Sequence, residues 1–183
     1  MPFRNHRFLS AALLMLSGGP ALAQHAGHHL HHGAHAAPYA GFEQREASGL
    51  GAAEVADLRA GRGMGFALPA ELNGYPGPLH VLELAEQLHL TPTQRARMQE
   101  LVAAMQAATA SLGEALIAAE RSLDRVFRSG VATAGEVDMA VEAAALARGR
   151  VRAAHLRVHL VTRDALTQEQ RIAYARLRGD VPR

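Results

Sequence analysis

Two pentads decide the fold: Leu90-Thr91-Pro92-Thr93-Gln94 and Leu166-Thr167-Gln168-Glu169-Gln170. Both read L-T-x-x-Q, and a helical pattern follows each of them. A threonine at the N-cap accepts a hydrogen bond from the amide at N3, and a glutamine at N3 reaches back to the N-cap amide. We therefore expect two capping boxes, one formed by Thr91 with Gln94 and the other by Thr167 with Gln170.

The residues between the pentads follow a helical pattern. Residues 92–128 carry apolar side chains at steps of three and four, which predicts one buried stripe along a long helix. Ser129-Gly130 ends that helix, and a second long helix is predicted over residues 133–165. The predicted stripe of the first long helix contains Met98, Leu101, Val102, Met105, Ala108, Leu112, Ala115, Leu116, Ala119, Leu123 and Val126.

Shorter helices complete the prediction, over residues 79–88 and 168–178, with brief ones over 52–60 and 69–72. No stretch shows the period-two alternation of a strand. The predicted fold is therefore all-α: a four-helix hairpin in which two shorter helices flank two long antiparallel ones.

The N-terminus resembles a cleavable export signal. Arg4 and Arg7 precede an apolar run over residues 8–16, and Ala21-Leu22-Ala23 places small residues where signal peptidase needs them. The run is shorter than the roughly 20 residues of a membrane span. We expect cleavage after Ala23 and no membrane span afterwards; the alternative is a membrane anchor.

The rest of the chain divides by composition. After the signal peptide of residues 1–23 we expect a disordered His-rich tail over residues 24–40 and a linker with short helices over 41–78. The hairpin domain is predicted over residues 79–179.

Composition excludes several classes of function. The chain has no Cys, so disulfides, thiol catalysis and thiolate metal sites are absent. No nucleophile or acid–base pair stands in a catalytic motif, so we expect no enzyme. Beyond residue 23 the 17 Arg balance the 17 Asp and Glu, which argues against nucleic acid as a partner.

Charge is unevenly distributed along the exported part. Residues 24–144 hold 8 Arg against 14 acids, whereas residues 145–183 hold 9 Arg against 3 acids. This asymmetry suits antiparallel self-association or an acidic partner. The alternative is a solvated helix face.

Residues 25–37 read HAGHHLHHGAHAA and form a low-complexity tract. Neutral imidazole binds Cu(II), Ni(II) and Zn(II) well. The tract predicts capture or buffering of a divalent transition metal, and the alternative is a hydrophilic tail without a metal role. The candidate ligands of the tail are His25, His28, His29, His31, His32 and His35.

A second candidate metal site lies on the predicted helix over residues 133–165. His155 and His159 stand at i and i+4, so both rings project from one side. A third ligand would have to come from the helix over residues 79–88, where His80, Glu83 and Glu86 are candidates. The alternative is that His155 is a half-buried polar residue and His159 is solvated.

The two pentads, in an all-helical hairpin behind an export signal, make the chain resemble the periplasmic LTxxQ-motif family over residues 79–179. That family includes Spy- and CpxP-like stress chaperones and CnrX- and ZraP-like heavy-metal sensors. The resemblance implies a hairpin that dimerises into a curved cradle and works in the periplasm. It also implies metal ligands early in the helix over residues 79–88 and shortly before the second pentad.

We therefore expect a periplasmic metal-binding accessory or sensor protein of stress or heavy-metal response. The alternative is an ATP-independent holdase chaperone without a specific metal site, and a third possibility is a metal buffer. The expected partners are a second copy of the chain and either an envelope sensor protein or unfolded client proteins.

Overall fold

The computed structural model describes residues 37–179. The predicted signal peptide and the six tail histidines therefore lie outside the described residues. Within the described range there are helices and turns but no strand, which confirms the all-α prediction. After a short 3-10 turn at Phe42–Gln44, the helices are α1 Ala52–Arg59, α2 Leu68–Glu71, α3 Pro78–Glu83, α4 Pro92–Arg128, α5 Ala134–Asp164 and α6 Gln168–Arg178.

Capping boxes begin the three longest helices. Thr91 and Gln94 start α4, and Thr167 and Gln170 start α6, at the residues that the pentads predict. A third box starts α5, where Thr133 pairs with Glu136. The sequence analysis missed that box, although its T-x-x-E spacing is a standard signal of a helix start.

Helix α3 is shorter than predicted. It ends at Glu83 instead of residue 88, because Leu84 leaves the helical conformation at φ −102° and ψ 17°. His89 adopts φ 48° in the turns that follow. These turns let Ala85 and Leu88 enter the core before the chain reverses into α4.

Helices α4 and α5 form the hairpin, and the shorter helices pack on it in two apolar clusters. One cluster joins the N-terminal segment and α1 to the middle of the hairpin, and the other joins α3 and α6 to its base. The first contains Ala47, Leu50, Val55, Leu58, Leu116, Ile117, Ala147 and Val151. The second contains Val81, Ala85, Leu88, Leu90, Met98, Leu101, Leu166 and Tyr174.

The buried face of α4 differs from the predicted stripe. Ala108 and Ala115 are exposed, whereas Thr109 and Gly113 are buried. The reason is α1, which crosses α4 so closely that a Cβ on Gly113 would lie 2.6 Å from the carbonyl oxygen of Leu58. Only a residue without a side chain fits there, so periodicity of large apolar residues does not locate this contact.

Helix α4 is long and apolar enough, by length and composition, to cross a membrane. Its most apolar window has a mean hydropathy of 1.4, and no other helix of residues 37–179 meets the same criterion. Much of that hydropathy comes from alanine. The core helix of a helical hairpin meets this criterion too, and α4 packs against α5 along the hairpin.

Candidate functional site

The rings of His155 and His159 are buried in the hairpin, with exposed fractions of 2% and 4%. The alternative of a half-buried His155 and a solvated His159 is therefore wrong. Both residues lie on the face of α5 that is covered by the segment between α1 and α3. That segment comes from residues 61–77, which helical periodicity in α5 cannot reveal.

Each of these two rings is held through Nδ1. Nδ1 of His159 donates to the carbonyl oxygen of Tyr75 at 2.8 Å, and Nδ1 of His155 donates to that of Val151 at 3.2 Å. A carbonyl oxygen only accepts, so in the neutral rings the proton sits on Nδ1 and the lone pair sits on Nε2. Nε2 of His155 is buried and has no hydrogen-bond partner.

Glu71 connects the covering segment to the hairpin. Its Oε1 accepts from the backbone amide of Gly77 at 3.0 Å and from Nδ1 of His80 at 2.8 Å. Its Oε2 accepts from the hydroxyl of Tyr174 at 2.8 Å. Oε1 also lies 3.8 Å from Nδ1 of His159. One carboxylate thus joins α2, α3 and α6 beside the buried histidines.

These residues meet around one partly open cavity of about 420 Å³. His80, His155 and His159 all line it, so one cavity is shared by the three histidines that the sequence analysis named on two helices. The other lining residues include Glu71, Met64, Met105 and Arg178.

The other candidates from the helix over residues 79–88 do not reach the cavity. Glu83 is exposed, and Glu86 points to solvent, where its Oε1 pairs with Nη2 of Arg95 at 2.8 Å. Within residues 37–179, no three His, Asp or Glu side chains stand, as placed, in an arrangement ready to hold a metal ion. The cavity is therefore a collection of donors and not a finished coordination sphere.

Sequence reasoning missed Glu71, Tyr174, Met64 and Met105. The hydrogen bond from Tyr174 to Glu71 spans 103 residues, and the one from His159 to Tyr75 spans 84 residues. No local spacing in the sequence predicts contacts between residues so far apart. Met105 was assigned to the buried stripe of α4, and Met64 stands in a glycine-rich stretch without periodicity. The one usable signal was the unusual density of glycine and proline over residues 61–78.

The base of the hairpin is a second polar site, formed by the pentads. Nε2 of Gln94 donates to the carbonyl oxygen of Ala165 at 3.0 Å, and Nε2 of Gln170 donates to that of Leu88 at 3.2 Å. The two glutamine side chains also bond to each other. All these groups are engaged in holding helix ends, which makes this site structural.

Comparison with known proteins gives one match. A model of the LTXXQ motif family protein matches residues 79–178. No curated protein and no solved structure matches the chain. Proteins of this family are typically periplasmic and of the Spy/CpxP type, with chaperone or sensor roles. The match begins after Glu71, so part of the cavity comes from outside the family region.

Proposed function

The chain belongs to the LTXXQ motif family, and we propose that it is a periplasmic metal-binding protein of the stress or heavy-metal response. Its folded ion site is the cavity of His80, His155 and His159. The six histidines from His25 to His35 serve as a looser capture site ahead of it.

One observation carries this proposal: Nε2 of His155 is buried in the lining of a cavity and has no partner. A buried polar atom left without a hydrogen bond costs about 1–3 kcal/mol. Such an atom therefore requires a reason. The Nδ1 bonds to backbone carbonyls are the outer-shell contacts that fix a histidine for metal binding through Nε2.

Imidazole is a ligand that transition-metal ions prefer, and the three histidines line one cavity. His155 and His159 would supply buried imidazoles from one helix face. His80 would supply a third, and its Nδ1 already donates to the carboxylate of Glu71, as metal-bound histidines commonly do. A bound ion would attract the ring nitrogens of these three histidines towards one point. Because α3 and α5 contribute different ligands, loading the site would change how the covering segment sits on the hairpin.

That coupling is what a sensor requires, since a ligand shifts a conformational equilibrium only by its different affinity for the two states. The low-complexity composition of the tail offers many similar ligands and no single site, so binding there would not select one state of the folded hairpin. The tail would therefore buffer the ion, and the cavity would respond to it. An envelope sensor protein is the partner that such a response would address.

The test uses the whole exported chain with its six tail histidines replaced by alanine, here called the tail-Ala chain. Calorimetric titration with Zn(II), Ni(II) and Cu(II) should show one site per chain for at least one ion. His155→Ala and His159→Ala should each abolish that site. His89→Ala is the matched control, because His89 is exposed and outside the cavity lining. A tail-Ala chain that binds no transition-metal ion contradicts the proposal.

A second function, that of an ATP-independent holdase, is favoured by a different observation. The hairpin exposes large apolar side chains at its tip and along α5, including Phe127, Val131, Met139 and Leu146. Exposed apolar surface of this kind binds unfolded chains or a second copy of the protein. The tail-Ala chain should then suppress client aggregation without metal and without ATP. If the tail-Ala chain at several-fold excess over the client does not suppress aggregation, the holdase function fails and only the metal function remains.

A further inference from the structure

The charged donors of the cavity are already engaged. Both oxygens of Glu71 accept hydrogen bonds, from Gly77, His80 and Tyr174. Arg178 also lines the cavity, and its positive charge balances the negative charge of Glu71. A hard divalent cation is attracted by free carboxylate oxygens and by excess negative charge. The cavity offers neither of these.

The uncommitted donors are imidazole nitrogens and thioethers. They are Nε2 of His155, which has no partner, Nε2 of His159, and the sulfurs of Met64 and Met105. Met64 comes from the covering segment, where it also packs against the apolar cluster that joins α1 to the hairpin, and Met105 comes from α4. Neither residue was a candidate ligand in the sequence.

Met64 is held in an unusual backbone conformation. Its φ is 47°, in the left-handed region that residues with a Cβ rarely adopt, although glycines stand on both sides of it. Conformations of this kind cluster at ligand-binding sites, where the surroundings enforce them. In this conformation Met64, between Gly63 and Gly65, lines the cavity.

We infer that the cavity selects monovalent copper, bound by the buried imidazoles of His155 and His159 together with the thioethers of Met64 and Met105. Thioether ligands select Cu(I), whereas zinc is almost always four-coordinate with thiolate, imidazole or carboxylate ligands. In residues 37–179 no three His, Asp or Glu side chains form such a set. A soft ion that accepts few ligands suits the donors present. This inference rests on the proposed metal function and names its ion.

The experiment compares Cu(I) with Zn(II) on the tail-Ala chain. Cu(I), kept reduced with ascorbate under argon, is titrated in competition with bicinchoninate, and Zn(II) is titrated separately. Met64→Leu and Met105→Leu should each lower Cu(I) affinity by at least about tenfold, the smallest loss seen when even an outer-shell partner is removed. Met139→Leu is the control, because Met139 is 66% exposed and outside the cavity lining; it should leave Cu(I) affinity unchanged.

A second readout does not depend on the variants folding. X-ray absorption at the copper edge of the unsubstituted tail-Ala chain should show sulfur neighbours, and each Met→Leu change should reduce them. If a divalent ion binds through His155 while Cu(I) does not, or Cu(I) binds with no sulfur neighbour, the inference is overturned and the metal function stands. If the tail-Ala chain binds no transition-metal ion at all, the copper inference and the proposed metal function both fail.

Discussion

Gln94 and Gln170 bond to each other across the base of the hairpin. Nε2 of Gln94 lies 2.8 Å from Oε1 of Gln170, and Nε2 of Gln170 lies 3.0 Å from Oε1 of Gln94. Each Oε1 also accepts from the backbone amide of its own capping threonine, Thr91 or Thr167. The two pentads therefore form one contact that holds the starts of α4 and α6 together.

The first prediction concerns this pair. Gln94→Ala and Gln170→Ala should each lower the free energy of unfolding by about 1–3 kcal/mol, because each leaves partly buried partners unsatisfied. The double variant should cost less than the sum of the single ones, since the same bonds are lost in both. Urea denaturation measures all four proteins. Glu136→Ala is the control: Glu136 caps α5 without touching either glutamine, so its effect should simply add to theirs.

The second prediction compares two glycines inside helices. Gly113→Ala should destabilise the protein by about 1–3 kcal/mol, because the new methyl group meets the backbone of Leu58. Gly149→Ala on α5 should stabilise it by up to about 1 kcal/mol, because nothing lies within 4 Å and alanine is the better helix former. Thermal unfolding measures both. Equal effects of the two changes would show that α1 does not lie against α4.

The third prediction concerns pH. Hydrogen bonds from the backbone amide and the hydroxyl of Thr133 hold the pKa of Glu136 below its ordinary value. A lowered pKa in the folded state means that this cap stabilises the protein above the unfolded pKa of about 4.3. That stabilisation is lost as the pH falls through the folded pKa.

The pKa can be read from the side-chain carbon shift of Glu136 during an NMR titration. Thr133→Ala should raise the pKa towards the ordinary value, because the hydroxyl donor is gone. Thr167→Ala removes the hydroxyl from a different helix start and should leave the titration of Glu136 where it was. A pKa that does not respond to Thr133→Ala would rule out this cap as its cause.

The fourth prediction concerns the carboxylate beside the cavity. Tyr174→Phe removes one donor to Glu71 and should cost about 1.5–3 kcal/mol, the range for a hydrogen bond to a charged group. Tyr39→Phe is the matched control and should be neutral, because Tyr39 is 73% exposed. Chemical denaturation measures both. Similar losses from the two variants would contradict the assignment of Glu71 as the connection to α6.

The fifth prediction concerns processing. The protein recovered from the periplasm should begin at Gln24, since Ala21 and Ala23 are the small residues that precede a signal-peptidase cut. Intact-mass spectrometry of the periplasmic fraction measures this. A chain that retains residues 1–23 and sediments with membranes would instead support the anchored alternative.

Local rules were sufficient to predict where the pentad-capped helices begin. Thr91, Pro92 and Gln94 mark a helix start by chemistry confined to one turn, and the structure begins α4 at Pro92. Long apolar periodicity likewise placed the hairpin, because burial of one face repeats with the helical turn. The end of α3 was not predicted: the chain leaves the helix at Leu84, and the turns that follow allow Ala85 and Leu88 to pack into the core.

The sequence by itself thus determined the all-α hairpin and its capped helix starts, because these depend on neighbours within a few residues. Only the tertiary structure decided that Glu71 meets Tyr174 and His80, and that Met64 and Met105 line the same cavity as His155. Residues so far apart in the chain meet through the packing of whole elements, and no local spacing encodes that packing.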